Sequence, residues 1–203
     1  MTSHASLRDR VRRSLISRDF ALLWSGQTIS SLGTQLTGNA IPLIAILNLH
    51  ATAAQVSFLA VLGLLPFIFV SLPAGALVDR LPRRGVMQIT DIGRALILSC
   101  IPLAALLGVL SMDVLAITFF LGQTLSVFFE MAYHAYVPAL LTGKRLLAGN
   151  SRLAASESLA EAGGPALSGT LVQTVGGPFA IAIDAISFVI SAVSLGMIRR
   201  REP

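Results

Sequence analysis

The sequence predicts an all-α membrane protein: six transmembrane helices arranged as an inverted three-plus-three repeat. Three observations point there. The 203 residues are 54% hydrophobic and only 12% charged, where a soluble domain carries about 25% charged residues. Apolar runs long enough to span a bilayer core, which takes about 20 helical residues, recur along the chain between short polar breaks. The fifteen lysines and arginines gather in alternate breaks. The net charge of +5 therefore does not describe a basic soluble face, and nucleic acid is not an expected partner. Mean hydropathy is +0.78, so the lipid bilayer is the expected solvent.

Residues 1–18 are polar and basic, with Arg8, Arg10, Arg12, Arg13 and Arg18. No apolar stretch of signal-peptide form ends in a cleavage site there. The segment reads either as a surface amphipathic helix, with Leu7, Val11 and Leu15 at helical spacing, or as a disordered arm. The expected bundle occupies 19–198, with spans near 19–47, 53–78, 86–110, 112–138, 149–175 and 177–198. Pro42 should bend the first span or mark its end. The runs are too long and too little alternating for barrel strands. Backbone groups in hydrocarbon must be paired within the segment, which leaves helices. Residues 199–203 begin a further cytoplasmic loop.

Charge sets the expected orientation. Five bases precede the first span. Arg80, Arg83 and Arg84 separate spans two and three. Lys144, Arg145 and Arg152 lie around the start of span five, and Arg199, Arg200 and Arg201 follow span six. Only Arg94 falls well inside a span. The breaks near 49–55, 110–114 and 175–178 have none. The positive-inside rule places both termini and the Gly75–Arg84 turn in the cytoplasm.

The repeat is read from three correspondences. Gly26-Gln27-Thr28-Ile29-Ser30 matches Gly122-Gln123-Thr124-Leu125-Ser126 at an offset of 96 residues. Gly75-Ala76-Leu77-Val78 matches Gly169-Thr170-Leu171-Val172 at 94, and Asp91 matches Asp184 at 93. Each pairs an outward-running span with an inward-running one, the layout of inverted-repeat secondary transporters.

The Gly75–Arg84 turn resembles the loop between helices two and three of the major facilitator superfamily, Gly-x-Leu-x-Asp-Arg-x-Gly-Arg-Arg in outline. Gly75, Leu77, Asp79, Arg80, Arg83 and Arg84 match, and Pro82 stands where a second glycine is usual. Other stretches resemble its drug-efflux branch, which includes macrolide-efflux and enterobactin-exporter-like proteins. These are Ser17-Arg18-Asp19-Phe20 with Leu23-Trp24-Ser25-Gly26-Gln27, Tyr136-Val137-Pro138-Ala139-Leu140 and Asp184-Ala185-Ile186-Ser187-Phe188. Gly164-Pro165-Ala166-Leu167-Ser168-Gly169 is similar to the antiporter motif of helix five, with Ser168 replacing a glycine. Ser151 and Ala160 stand where that motif has two earlier glycines.

The resemblance covers about 15–200 and implies the N-terminal half of a twelve-helix fold. The chain stops where the family's central cytoplasmic loop would begin. A second six-helix half is then an expected partner, as a separate chain, a missing continuation or a homodimer. The implied activity is proton-coupled efflux of a small hydrophobic or amphipathic compound across a bacterial inner membrane. The alternative is a truncated or split half that serves membrane assembly without transporting alone.

The resemblance assigns Asp79 and the arginines to a charge latch on the cytoplasmic gate. The plainer reading is that the arginines only fix topology. Gly75 would allow close approach of a helix, and Asp79 could pair with Arg83 or cap a helix N-terminus. Asp91, Arg94, Glu130, His134, Glu161 and Asp184 fall within spans. A charge facing lipid at mid-helix costs about 2.5–3.5 kcal/mol on insertion scales, so these should face the interior or a water-filled path. Asp91 and Arg94, three apart, read as a structural ion pair or a binding element. Glu130 and His134 share a helix face and read as a proton-handling pair or a packing pair. Glu161, beside Gly163-Gly164-Pro165, is the first candidate for proton coupling, and Asp184 reads as structural at a helix start. Gln27, Gln35 and Asn39 are cavity candidates that could equally serve packing. Gly163, Gly164 and Gly169 read as a packing surface or a hinge. Cys100 reads as a small buried hydrophobe. No phosphate loop, nucleophilic triad or metal-ligand spacing appears, so neither enzyme chemistry nor a metal or other cofactor is expected.

Overall fold

The structure, a computed structural model, describes residues 18–141 and 143–199. The basic segment expected over 1–18 lies outside them apart from Arg18, as does the loop expected over 199–203 apart from Arg199. Six helices run through the described residues: α1 Arg18–Leu47, α2 Ala53–Val78, α3 Arg83–Leu106, α4 Met112–Leu140, α5 Lys144–Val175 and α6 Gly177–Gly196.

Local chemistry explains the ends. Thr52 and Gln55 form a capping box at the start of α2, with Thr52 N donating to Gln55 Oε1 at 2.8 Å. The Ser111 hydroxyl caps α4 by accepting from Val114 N at 3.3 Å. Gly176 sits at φ +88° between α5 and α6, a conformation open to glycine. Pro42 does not end the first helix, which continues to Leu47. Pro66, Pro73, Pro102, Pro138 and Pro165 also lie inside helices.

Two boundaries differ from expectation. Helix α3 begins at Arg83, directly after Pro82, so Arg83 and Arg84 belong to a helix rather than to a loop. Proline fixes an extended entry and lacks the N–H that a first turn would leave unpaired. Helix α5 begins at Lys144, before the apolar run, so Arg145 and Arg152 are helical too.

Helices α2, α3, α4 and α6 are long and apolar enough to cross a membrane. Helices α1 and α5 carry more polar residues. The outer surface is apolar: Phe69, Leu72, Ile89 and Leu96 are all more than two-thirds exposed. Water-soluble monomers rarely show such continuous patches. Cys100, expected to be buried, is on this outer face.

Helix α1 packs on α5 and α6, α4 packs on α2 and α3, and α3 packs on α6. Two apolar clusters close the ends of the bundle. One joins Ile41, Ile44, Leu59, Ile101, Leu115, Ile181 and Phe188. The other joins Phe20, Leu23, Val78, Met87, Tyr136, Leu195 and Ile198. Between them, along α1, α3, α4 and α5, lies a layer of polar and charged side chains.

Candidate functional site

The polar layer begins on α3. Asp91 and Arg94 lie one turn apart and form a buried ion pair, as their spacing predicts. The guanidinium carbon lies 4.4 Å from the Phe129 ring centre and 4.0 Å from that of Phe188. Aromatic faces attract such a cation, so the charge is held on two sides. Arg94 Nη1 also donates to Ser126 Oγ at 3.3 Å.

Asp184 is the second buried acid. Its carboxylate accepts from Thr37 Oγ1 at 2.5 Å and from Ser187 Oγ at 3.0 Å, tying α6 to α1. It lies in the second turn of α6, not at the helix start expected for it. Gly33 makes this approach possible, because a Cβ there would strike the Asp184 carboxylate and the Ser187 hydroxyl.

Above Arg94 a cavity of about 280 Å³ opens among α1, α2, α4 and α5. Gln27, Ser30, Ser31, Thr34 and Gln35 supply its α1 wall. Gln123, Ser126, Phe129, Glu130, Tyr133 and His134 supply the α4 wall, Glu157 and Ala160 the α5 wall, and Phe67 reaches in from α2. Arg94 forms part of its floor and also borders a smaller cavity of about 80 Å³ with Asp184 and Thr37. Trp24 Nε1 donates to Ser156 Oγ at 2.9 Å, fixing α5 against α1 beside the cavity.

Of the residues singled out in the sequence, Gln27, Gln35, Arg94, Glu130 and His134 therefore meet at one site. Glu130 and His134 share its wall, but no hydrogen bond or ion pair joins them among the described residues. His134 instead lies against the Tyr133 ring, with ring centres 5.6 Å apart.

Other candidates lie apart from this site. Asn39 does not reach the cavity; its Nδ2 donates to Gln35 O at 2.8 Å. Glu161 is exposed and outside the cavity. The buried stripe of α5 is Ala160, Gly164, Ser168 and Val172, at steps of four, and Glu161 lies off it. Helix α5 also runs unbroken through Pro165. Of the three glycines expected to pack, only Gly164 does, against the Gln35 side chain, while Gly163 and Gly169 face open space.

Sequence reasoning missed Glu157. It stands one turn before Glu161 and, like it, is exposed and three residues before a buried small residue, so the sequence holds no signal that separates the two; the cavity wall reaches Glu157 alone.

At the Gly75–Arg84 turn, Asp79 is exposed and closes the C-terminus of α2. It caps no N-terminus and pairs with no side chain among the described residues. Gly75 faces open space. Arg83 Nη1 donates to Ala135 O on α4 at 3.1 Å, and Arg84 Nη2 to Gly196 O at the end of α6 at 2.6 Å. Both arginines thus find carbonyl partners within this bundle, the second at a helix C-terminus that favours a cation.

Comparison with known proteins finds relatives of this sequence. A family model described as "Transmembrane secretion effector" covers residues 13–203. The chain is 31% identical over 182 residues to the uncharacterized MFS-type transporter YfiS of Bacillus subtilis, covering 88% of this chain and 42% of that protein. It is 31% identical over 173 residues to the multidrug efflux pump Tap of Mycolicibacterium fortuitum, covering 80% and 42%. It is 24% identical over 180 residues to macrolide efflux protein A of Streptococcus pyogenes, covering 89% and 44%. The chain thus spans less than half the length of these curated relatives. No solved structure matches it. The chain belongs to the transmembrane secretion effector family of major facilitator transporters, and it is a multi-pass membrane protein.

Proposed function

We propose that the chain forms the six-helix N-terminal half of a secondary transporter that exports a small hydrophobic or amphipathic compound, driven by protons. The polar cavity between α1, α4 and α5, enclosed by an apolar outer surface, carries this reading. A lipid-facing protein has no packing reason to keep a void lined by carboxylates, amides and aromatic rings. Such a lining suits a cargo with both polar and apolar parts.

All six helices span the membrane in this reading, over 19–198, with the polar faces of α1 and α5 turned to the cavity. Exchanging α1 with α4, α2 with α5 and α3 with α6 leaves the principal helix contacts unchanged, which supports the three-plus-three repeat. Residues 1–18 and 199–203 are cytoplasmic flanks. A second six-helix half faces the cavity, and the two rock about it to give alternating access. Asp79 supports a partner beyond this bundle: a carboxylate at a helix C-terminus opposes the helix dipole and gains nothing locally. The membrane is the bacterial inner membrane, with both termini inside, as the loop charges direct.

An efflux assay tests the reading. Cells producing the protein are loaded with a macrolide or a hydrophobic dye, and its loss is followed with and without an uncoupler. Faster loss than in cells lacking the protein, abolished by the uncoupler, is expected. Equal retention in both would overturn the reading.

A further inference from the structure

We propose that the cavity selects organic cations, and that Glu130 and Glu157 are the residues that read the charge. The inference rests on the cavity being the cargo site.

Five charged or titratable side chains border the cavity: Arg94, Glu130, Tyr133, His134 and Glu157. Their local accounts differ. The Arg94 charge is taken up by Asp91, by Ser126 and by two aromatic rings. Glu130 and Glu157 have no hydrogen-bond or ion-pair partner among the described residues. They lie within electrostatic reach of one another, and His134 and Arg94 are the cationic groups that also reach Glu130. One histidine, even when protonated, cannot balance two carboxylates. The wall is therefore net negative toward whatever occupies the void.

Glu130 is partly buried, so its charge is screened less than a surface charge, while Glu157 is exposed at the edge of the cavity. Gln27 Oε1 adds an independent sign. It is a buried acceptor without a donor, on the cavity wall, and buried acceptors are ordinarily satisfied. A cargo bearing an N–H group would satisfy it. Phe67 and Tyr133 supply aromatic rings, which hold an apolar cation better than a neutral molecule of the same shape. An anion would meet two carboxylates and a guanidinium already committed elsewhere. A neutral cargo would displace water from Glu130 without supplying a counter-charge.

The test uses two probes of nearly one shape, methyltriphenylphosphonium and uncharged triphenylphosphine oxide. The full chain is placed in phosphatidylcholine nanodiscs, whose surface is neutral overall, and binding is measured by equilibrium dialysis against empty discs. The cation is expected to bind at least about tenfold more tightly than the oxide. The double variant Glu130→Gln/Glu157→Gln should lose about tenfold in cation affinity and keep its oxide affinity, which also shows that it is folded. Asp113→Asn, an exposed acid in the first turn of α4, should change neither. Equal binding of the two probes, or a double variant that binds the cation like the parent, overturns the charge reading and leaves the cargo site standing. Loss of both probes together in the double variant overturns it too, since shape rather than charge would then be affected. If neither probe binds the parent chain, the cargo site itself is refuted and the charge reading falls with it.

Discussion

Asp91 and Arg94 on α3, and Glu130 and Glu157 across the cavity above them, are ionisable groups inside one small bundle, yet they are held in opposite ways. The first pair is almost fully buried, joined to itself, and flanked by Phe129, Phe188 and Ser126. The second pair has no bonded partner among the described residues and borders open volume. Removing a charge from water is costly unless a partner answers it. The α3 pair meets that cost within the fold, so it belongs to the scaffold. The cavity acids largely escape it, because Glu157 is exposed and Glu130 only partly buried, where water or a charged cargo can reach them. Asp184 falls on the scaffold side, answered by Thr37 and Ser187.

Breaking the scaffold pair should have the largest effect on folding. Arg94→Ala leaves Asp91 buried and uncompensated, a loss of about 3–5 kcal/mol. It should appear as a large fall in thermal midpoint in detergent, partly recovered in Asp91→Asn/Arg94→Gln, where both charges are gone. Gly33→Ala comes next. The added methyl would strike Asp184 and Ser187, and overpacking of this kind costs about 1–3 kcal/mol. Gly38→Ala, five residues on and facing open space, separates that steric term from helix propensity and should not destabilise. Asp184→Ala removes two accepted hydrogen bonds and strands Thr37 and Ser187, with a loss on the order of 1–3 kcal/mol. Asp184→Asn should be milder, because an acceptor remains.

The cavity side predicts the reverse profile. Glu157→Gln should leave the midpoint within about 0.5 kcal/mol of the parent while lowering cation export. Glu161→Gln, one turn further and outside the cavity, should change neither. If Glu161→Gln impaired export and Glu157→Gln did not, the assignment of the α5 wall would be reversed. The smallest signal is topological: cysteines placed at Ala51 and at Leu81 should be labelled from opposite sides of the membrane.

Much of this was legible in the sequence because it depends on patterns that survive packing. Helix positions followed apolar runs, and the Asp91–Arg94 pair followed from a spacing of three on one helix. What escaped was depth along the helix. Glu157 and Glu161 lie one turn apart on the same side of α5, and nothing in the sequence says that the cavity ends between them. The stripe of small residues from Ala160 to Ser168 marks only the side of α5 that packs, where Gln35 lies against Gly164. Partner choice escaped as well. Arg83 and Arg84 reach backbone carbonyls on α4 and α6, far along the chain, and carbonyls leave no trace in residue identity.

Cargo protection of the cavity wall is the most direct test of the central claim. With Cys100→Ser as background, Ser31→Cys places a thiol on the cavity wall, and Ser57→Cys places one on the exposed side of α2. Each is treated with a small thiol reagent, with and without saturating methyltriphenylphosphonium. The account predicts that the cation slows modification at position 31 and leaves position 57 unchanged. Equal rates at position 31 with and without the cation would contradict it.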